Sequence, residues 1–232
     1  MFIKFLKKNE IQMKTKENII WNDPTTIAWF NNEPAPEYWK KFFEAADKTK
    51  IKKVLDLGCG AGRNAQLLYE LGYDVYVCDL FDGMVTATTQ RLIKAGMSLE
   101  EARGRVAKTS MLHLPYQSCT FDAIVSNGVY HNAFSVEELE QSVKESARVL
   151  GPEGFLCFNL FSSATIASDL VNLGENVYLT KEGLLMVLVT RDHFLSLAGK
   201  YGLVPTGETI EYEREVSTGK RSVIRGILQK KS

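Results

Sequence analysis

Apolar and polar positions follow two rhythms along this chain: short continuous runs that suit buried strands, and a period of about 3.6 residues that suits helices. Val54, Leu55 and Leu57 form the first run, which stops abruptly at Gly58-Cys59-Gly60-Ala61-Gly62. This predicts a strand feeding a turn, since alternate glycines permit backbone paths and close contacts that any Cβ would block. Ala65, Leu67, Leu68 and Leu71 then recur at helical spacing, with Gly72 as the stop. Asp74 to Asp79 reads as a second strand. Phe155 to Phe161 is nearly all apolar, as in a central parallel strand covered on both faces. Val136, Leu139, Val143, Ala147 and Leu150 predict a helix over 136–150, capped by Ser135, with Glu137 and Glu138 suiting its dipole. A last helix runs from Thr190 to Lys200 and stops at Gly202. Leu203 to Arg214 and Ser222 to Gln229 follow as strand-like runs joined by the turn residues Ser217-Thr218-Gly219-Lys220. Strands alternating with helices predict an α/β, Rossmann-like doubly wound fold.

Two stretches stand outside this alternation. Residues 1–49 form a leader and a helical segment ahead of the domain expected over 50–232. Met1 to Lys16 mixes lysines with a few apolar residues and reads as a frayed leader, its apolar run far too short for a signal core or a membrane span. All three tryptophans, Trp21, Trp29 and Trp39, lie in residues 17–49 with Phe30, Tyr38, Phe42 and Phe43. Prolines break this segment at 34 and 36, and Glu37 to Asp47 reads as an amphipathic helix. The other stretch is an insertion at about 162–190. It is long for a βα connection, so it is expected to carry structure, an added hairpin, and part of a binding pocket.

The glycine turn carries the chemistry. Asp79 ends the second strand about twenty residues after the first glycine, the separation at which a nucleotide-binding βαβ unit sets a carboxylate beside ribose hydroxyls. An adenosine-bearing ligand is expected. The dinucleotide fingerprint needs a third glycine where this chain has Arg63. Asp56-x-Gly58-x-Gly60-x-Gly62 instead resembles the first motif of class I S-adenosylmethionine-dependent methyltransferases. The likeness continues through Ser110-Met111-Leu112-His113-Leu114-Pro115-Tyr116, through Phe121 to Asn127, and through the Arg148-Val149-Leu150-Gly151-Pro152-Glu153-Gly154 turn.

That resemblance implies a seven-stranded, mostly parallel sheet with a C-terminal antiparallel strand pair, and S-adenosylmethionine as cofactor. It implies that Asp56, Gly58, Cys59, Gly60 and Gly62 line the methionyl end. Asp79 with Leu80 would hold the ribose, Ser110, Met111 and Leu112 would meet adenine, and Asn127 would close the wall. Ser110 stands where an acid is usual. N-terminal helices often cover the site in this family, so Trp29, Phe30 and Tyr38 either contact the methyl acceptor or simply pack, whereas Phe42 and Phe43 are expected to pack. Ligands in open α/β sheets bind at the carboxyl ends of strands. Tyr130, His131 and Asn132, just past one such end, are therefore the expected acceptor-binding residues, with Tyr130 and His131 as catalytic candidates and His131 as the possible base.

Composition narrows the partner. With 28 basic and 28 acidic residues, the chain lacks the charge excess that holds a nucleic-acid backbone. Four cysteines without C-x-x-C spacing read as reduced, which points to the cytoplasm, and three scattered histidines offer no metal site. The expected function is methyl transfer to a small-molecule acceptor. A protein or RNA acceptor, a non-catalytic cofactor-binding protein and a nicotinamide-dependent dehydrogenase are the rivals.

Overall fold

A computed structural model describes residues 19–216 and 219–231. The basic leader and the turn positions Ser217 and Thr218 lie outside the described residues. The chain opens with α1 (Pro24–Asn32) and α2 (Glu37–Ala45). It continues through β1 (Lys53–Leu57), α3 (Arg63–Glu70), β2 (Asp74–Asp79), α4 (Asp82–Lys94), α5 (Leu99–Arg105) and β3 (Val106–Lys108). Then come β4 (Phe121–Asn127), a single 3-10 turn (Tyr130–Asn132), α6 (Val136–Val149) and β5 (Leu150–Ser162). A separate three-stranded unit, β6 (Val171–Gly174), β7 (Val177–Leu179) and β8 (Leu185–Val187), precedes α7 (Arg191–Gly199), β9 (Leu203–Pro205), β10 (Ile210–Val216) and β11 (Gly219–Lys230).

The main sheet runs β10-β11-β5-β4-β1-β2-β3, with β9 also paired to β11. Pairs from β3 to β5 are parallel, while β11 is antiparallel to both β5 and β10. This is the expected doubly wound, mostly parallel sheet with an antiparallel end. Strand alternation divides its core. Leu55, Leu57, Ile124, Leu156 and Phe158 face α6 and α7, meeting Val143 and Phe194. Val54, Val75, Val125 and Cys157 face the other way, against Trp39, Phe43, Ala65 and Leu68 of α2 and α3. The order reverses between β1 and β4, whose carboxyl ends open the crevice where such sheets bind ligands.

Several expectations shift. The run from Leu203 to Arg214 is not continuous. β9 and β10 pair with the same edge of β11, separated at Thr206–Thr209 where Thr209 packs over Gly226; a Cβ there would meet its Oγ1 at 2.9 Å. β5 begins earlier than the apolar run because Leu150 already pairs with Phe121 before an irregularity that includes Glu153 at φ +61°. α5 and β3 went unread, although Ser98 and Glu101 form a reciprocal capping box at the start of α5.

Residues 162–190 form the β6-β7-β8 sheet rather than a simple hairpin. None of them lines the main cleft, contrary to expectation. Leu170, Tyr178, Met186 and Leu188 bury against Phe161, and β8 backs onto the 3-10 turn. Arg221 of β11, almost wholly buried, pins this unit through a bidentate pair to Asp169 at 3.1 and 2.8 Å. Among the described residues no helix is long and apolar enough to cross a membrane.

Candidate active site

Gly58, Gly60 and Gly62 all adopt left-handed backbone, at φ +64°, +54° and +82°. Close approach explains two of them. A Cβ on Gly58 would sit 2.5 and 2.8 Å from the two Val129 methyls, and one on Gly62 would sit 2.9 Å from Thr88. Thr88 also donates its hydroxyl to the Gly60 carbonyl at 2.6 Å, tying the loop to α4. The loop is thus clamped between the β4 connection and α4.

Asp79, at the end of β2, accepts from the Gly60 amide at 2.9 Å and the Phe81 amide at 3.1 Å, one on each carboxylate oxygen. It is 8% exposed, and burial pushes its pKa up to about 6 against the pull of those amides. Asp56 lies deeper, fully buried within β1, and burial raises it to about 7. Asn64 and the Ala65 amide favour its anion, yet neither oxygen makes a hydrogen bond to a described residue. A buried carboxyl with no donor is costly unless something else supplies one.

These groups border a cleft of about 570 Å³, within the range of small-molecule sites. Leu80, Ser110, Met111 and Leu112 form one wall. α6 holds the 110–116 loop in place: Glu145 accepts from the Leu114 amide at 2.9 Å, while Arg148 donates to the carbonyls of Tyr116 and Leu114. Asn127 forms the opposite wall. Its Oδ1 receives the Tyr38 hydroxyl at 3.0 Å, Trp39 Nε1 at 3.0 Å and Asn159 Nδ2 at 2.7 Å. Indole N–H can only donate, which fixes that atom as the oxygen and directs the Asn127 amide nitrogen elsewhere. Phe30 covers the glycine loop, 3.9 Å from where a Gly60 Cβ would stand, and Trp21 packs beside Phe30 and Phe81. This cover is tied to α4, since Asn22 accepts from the Gly83 amide at 2.7 Å and Arg91 donates to the Asn31 carbonyl at 3.1 Å.

Of the expected residues, Gly58, Gly60, Asp79, Leu80, Ser110, Met111, Leu112, Asn127, Asn132 and Phe30 come together around this cleft. Asp56, Cys59 and Gly62 lie beneath it. Trp29 is 48% exposed, and Tyr38 braces Asn127 from behind.

Tyr130 and His131 do not reach the cleft, which corrects their expected catalytic placement. The 3-10 turn swings both side chains into the core. Tyr130 is fully buried and hydrogen-bonds Ser146 at 2.7 Å; Ser146 already donates to the Ser142 carbonyl, so the tyrosine is the donor. His131 stacks on Phe161 at 4.0 Å, and its Nδ1 accepts the Phe161 amide. Burial, with Arg221 nearby, drops its pKa to about 3, too weak for a base near neutrality. Tyr130→Phe should therefore lower the thermal midpoint by only about 1 to 6 °C, the effect of about 0.5 to 1.5 kcal/mol. Calorimetry with and without S-adenosylhomocysteine checks this, and an altered ligand affinity would return Tyr130 to the site.

Sequence reasoning missed Trp21, Phe81, Met84, Lys108, Phe134 and Glu138, which also line the cleft. Phe134 was within reach, since it shares the loop already singled out. Glu138 was read only as a favourable first-turn charge.

Residues 55–158 match the family model for the methyltransferase domain. Residues 55–158 of this chain are a methyltransferase domain. Methyltransferase GfsG of Streptomyces halstedii is 28% identical over 137 residues, which cover 59% of this chain and 47% of that protein. A mouse (Mus musculus) protein named probable tRNA methyltransferase 9B is 34% identical over 110 residues, covering 44% of this chain and 20% of that one. The chain thus spans about half or less of the length of these curated relatives. In fold, it resembles Burkholderia thailandensis 1,6-didemethyltoxoflavin-N1-methyltransferase, solved with its acceptor and S-adenosylhomocysteine. The TM-score is 0.63 at 16% identity, covering 100% of this chain and 89% of that one.

S-adenosylmethionine is the cofactor of such domains, and the residues present fit it. Each Asp79 oxygen holds one amide and keeps capacity for a hydroxyl. The buried Asp56 carboxyl, two residues before the glycine loop, would suit a cationic ligand when ionised. Leu80, Met111 and Leu112 offer apolar surface for a planar base.

Proposed function

We propose that this methyltransferase transfers a methyl group from S-adenosylmethionine to a small-molecule acceptor. The observation that carries the reading is the Asp79 carboxylate, set by two backbone amides at the mouth of a cleft floored by left-handed glycines. Near balance of charge and the full-length likeness to an enzyme of a small heteroaromatic acceptor support the acceptor class.

When bound, the cofactor supplies an activated sulfonium methyl for in-line displacement. The chain's own residues then need to align and exclude water, which orientation alone can reward with about 7 to 11 kcal/mol. Asp79 would accept both ribose hydroxyls, and Leu80, Met111 and Leu112 would hold the base. Phe30 and Trp21 shield the glycine loop from solvent. Asn127, whose oxygen takes three donors and whose side chain lines the cleft, would offer its amide nitrogen to the acceptor.

Titration with S-adenosylmethionine and with NAD tests the cofactor, and tighter binding of NAD would end the reading. Tritiated methyl transfer from the cofactor onto a cell extract, split into small-molecule and macromolecular fractions, tests the acceptor. Label is expected in the small-molecule fraction; label confined to protein or RNA would reassign it.

A further inference from the structure

From Asn127, which lines the cleft, a row of polar side chains runs across the sheet. Asn127, Asn159 and Arg225 occupy matched positions on β4, β5 and β11, so all three project from one face. The Tyr38 hydroxyl closes the row, accepting from Asn159 at 2.8 Å and donating to Asn127. Arg225 ends it. Its guanidinium carbon lies 4.0 Å from the Tyr38 ring centre and 5.3 Å from that of Tyr212.

That group is unusual in its neighbours. Among the described residues, no carboxylate lies at ion-pair distance from Arg225 and no hydrogen bond engages its N–H groups. Its close neighbours are the two aromatic rings, which offer its N–H donors no oxygen acceptor beyond the hydroxyls. Arg63 and Arg214 add to the same field, since Tyr38 feels the charges of both Arg225 and Arg63, and Arg63 that of Arg214. Among the described residues the acid paired with these cations is Glu33, 3.7 Å from Arg63, and the buried Asp56 also acts on Arg63. Glu211, Glu213 and Glu215 alternate with Tyr212 and Arg214 along β10 and so face the other side of the sheet.

We infer that this polar row, which meets the cleft at Asn127, recognises an oxyanion on the acceptor, and that Arg225 is the residue that selects it. A guanidinium packed against two rings still presents a fork of donors matched to a carboxylate or phosphate. The same three cations disfavour an ammonium acceptor such as a protein lysine. The inference rests on the methyl-transfer reading above and narrows it to acidic small molecules.

The test uses the whole chain saturated with S-adenosylhomocysteine, with side-chain NMR of labelled arginine and tyrosine. Binding of S-adenosylhomocysteine is measured first; its failure would overturn the methyl-transfer reading itself. With it bound, benzoate and phenyl phosphate are expected to shift the Arg225 and Tyr38 signals, while neutral benzamide does not. The preference between the two acids separates carboxylate from phosphate recognition. Arg225→Gln should weaken binding of the preferred acid by about tenfold or more and leave S-adenosylhomocysteine affinity unchanged, with Arg225→Lys intermediate. Equal binding of benzoate and benzamide by the unaltered protein would overturn the inference even if Arg225→Gln fails to fold. So would an unchanged acid affinity in a folded Arg225→Gln protein, which would leave Arg225 a structural brace. A short single-stranded RNA bound far more tightly than phenyl phosphate, and lost with Arg225→Gln, would assign the surface to nucleic acid instead.

Discussion

Gly58→Ala is expected to lower the thermal midpoint by roughly 5 to 15 °C and to weaken S-adenosylhomocysteine binding by more than about tenfold. Two independent costs add at this position. An L-residue at φ +64° gives up about 1 to 2 kcal/mol relative to glycine. The new Cβ would also sit 2.5, 2.8 and 3.2 Å from the two methyls and Cβ of Val129, and overpacking of that kind costs about 1 to 3 kcal/mol. Turning Val129 to another staggered rotamer cannot relieve it, because both methyls face Gly58 and any such turn leaves at least one of them there. The backbone must move instead, and Gly58 and Val129 both line the cleft, so its two walls part together. Adding Val129→Ala should recover the steric share and leave the conformational one. Gly60→Ala provides the contrast. It has a similar φ of +54° but nothing nearer than Phe30 at 3.9 Å, so its stability loss should be the smaller, conformational amount while its methyl intrudes on the ligand side. Calorimetry of the three variants decides the matter, and a Gly58→Ala protein that melts and binds like the parent would show that the clamp is not tight.

What the sequence disclosed follows the range of the forces involved. The glycine turn, the acid at the end of β2 and the cap of α6 depend on residues a few positions apart, so they were legible from spacing. Ser135 does accept from the Glu138 amide. Tyr130 and His131 failed for the opposite reason. Their loop was correctly placed past β4, but the direction of each side chain is fixed by Ser146 on α6 and Phe161 on β5, partners 16 and 30 residues away. Arg148 shows the same gap from the other side. It was matched as part of a turn motif, yet its work is to hold two carbonyls of the 110–116 loop more than 30 residues upstream. The break between β9 and β10 likewise depends on Gly226 across the sheet, which no local pattern reveals.

Cofactor affinity and apo stability should respond to pH with opposite signs. Asp79 and Asp56 have folded pKa values raised by burial to about 6 and about 7, above the ordinary value of 3.8. Between pH about 4 and 7 the native state therefore binds more protons than the unfolded chain, and stability without ligand falls as pH rises through that window. Ligand binding needs the reverse, since an ionised Asp79 accepts ribose hydroxyls most strongly and ionised carboxyls favour a cationic cofactor. Affinity for S-adenosylmethionine should be level above about pH 7 and drop by about tenfold per pH unit below pH 6 if Asp79 alone titrates, more steeply if Asp56 joins it. Asp79→Ala separates the two. It should cost about 1.5 to 3 kcal/mol of binding at pH 8, about 10-fold to 150-fold in Kd, and remove the part of the slope that Asp79 supplies. Titration calorimetry from pH 5 to 8, in buffers of different ionisation enthalpy, counts the protons released on binding. An affinity flat across that range in the parent protein, or unchanged by Asp79→Ala, would remove this carboxylate from the cofactor's site.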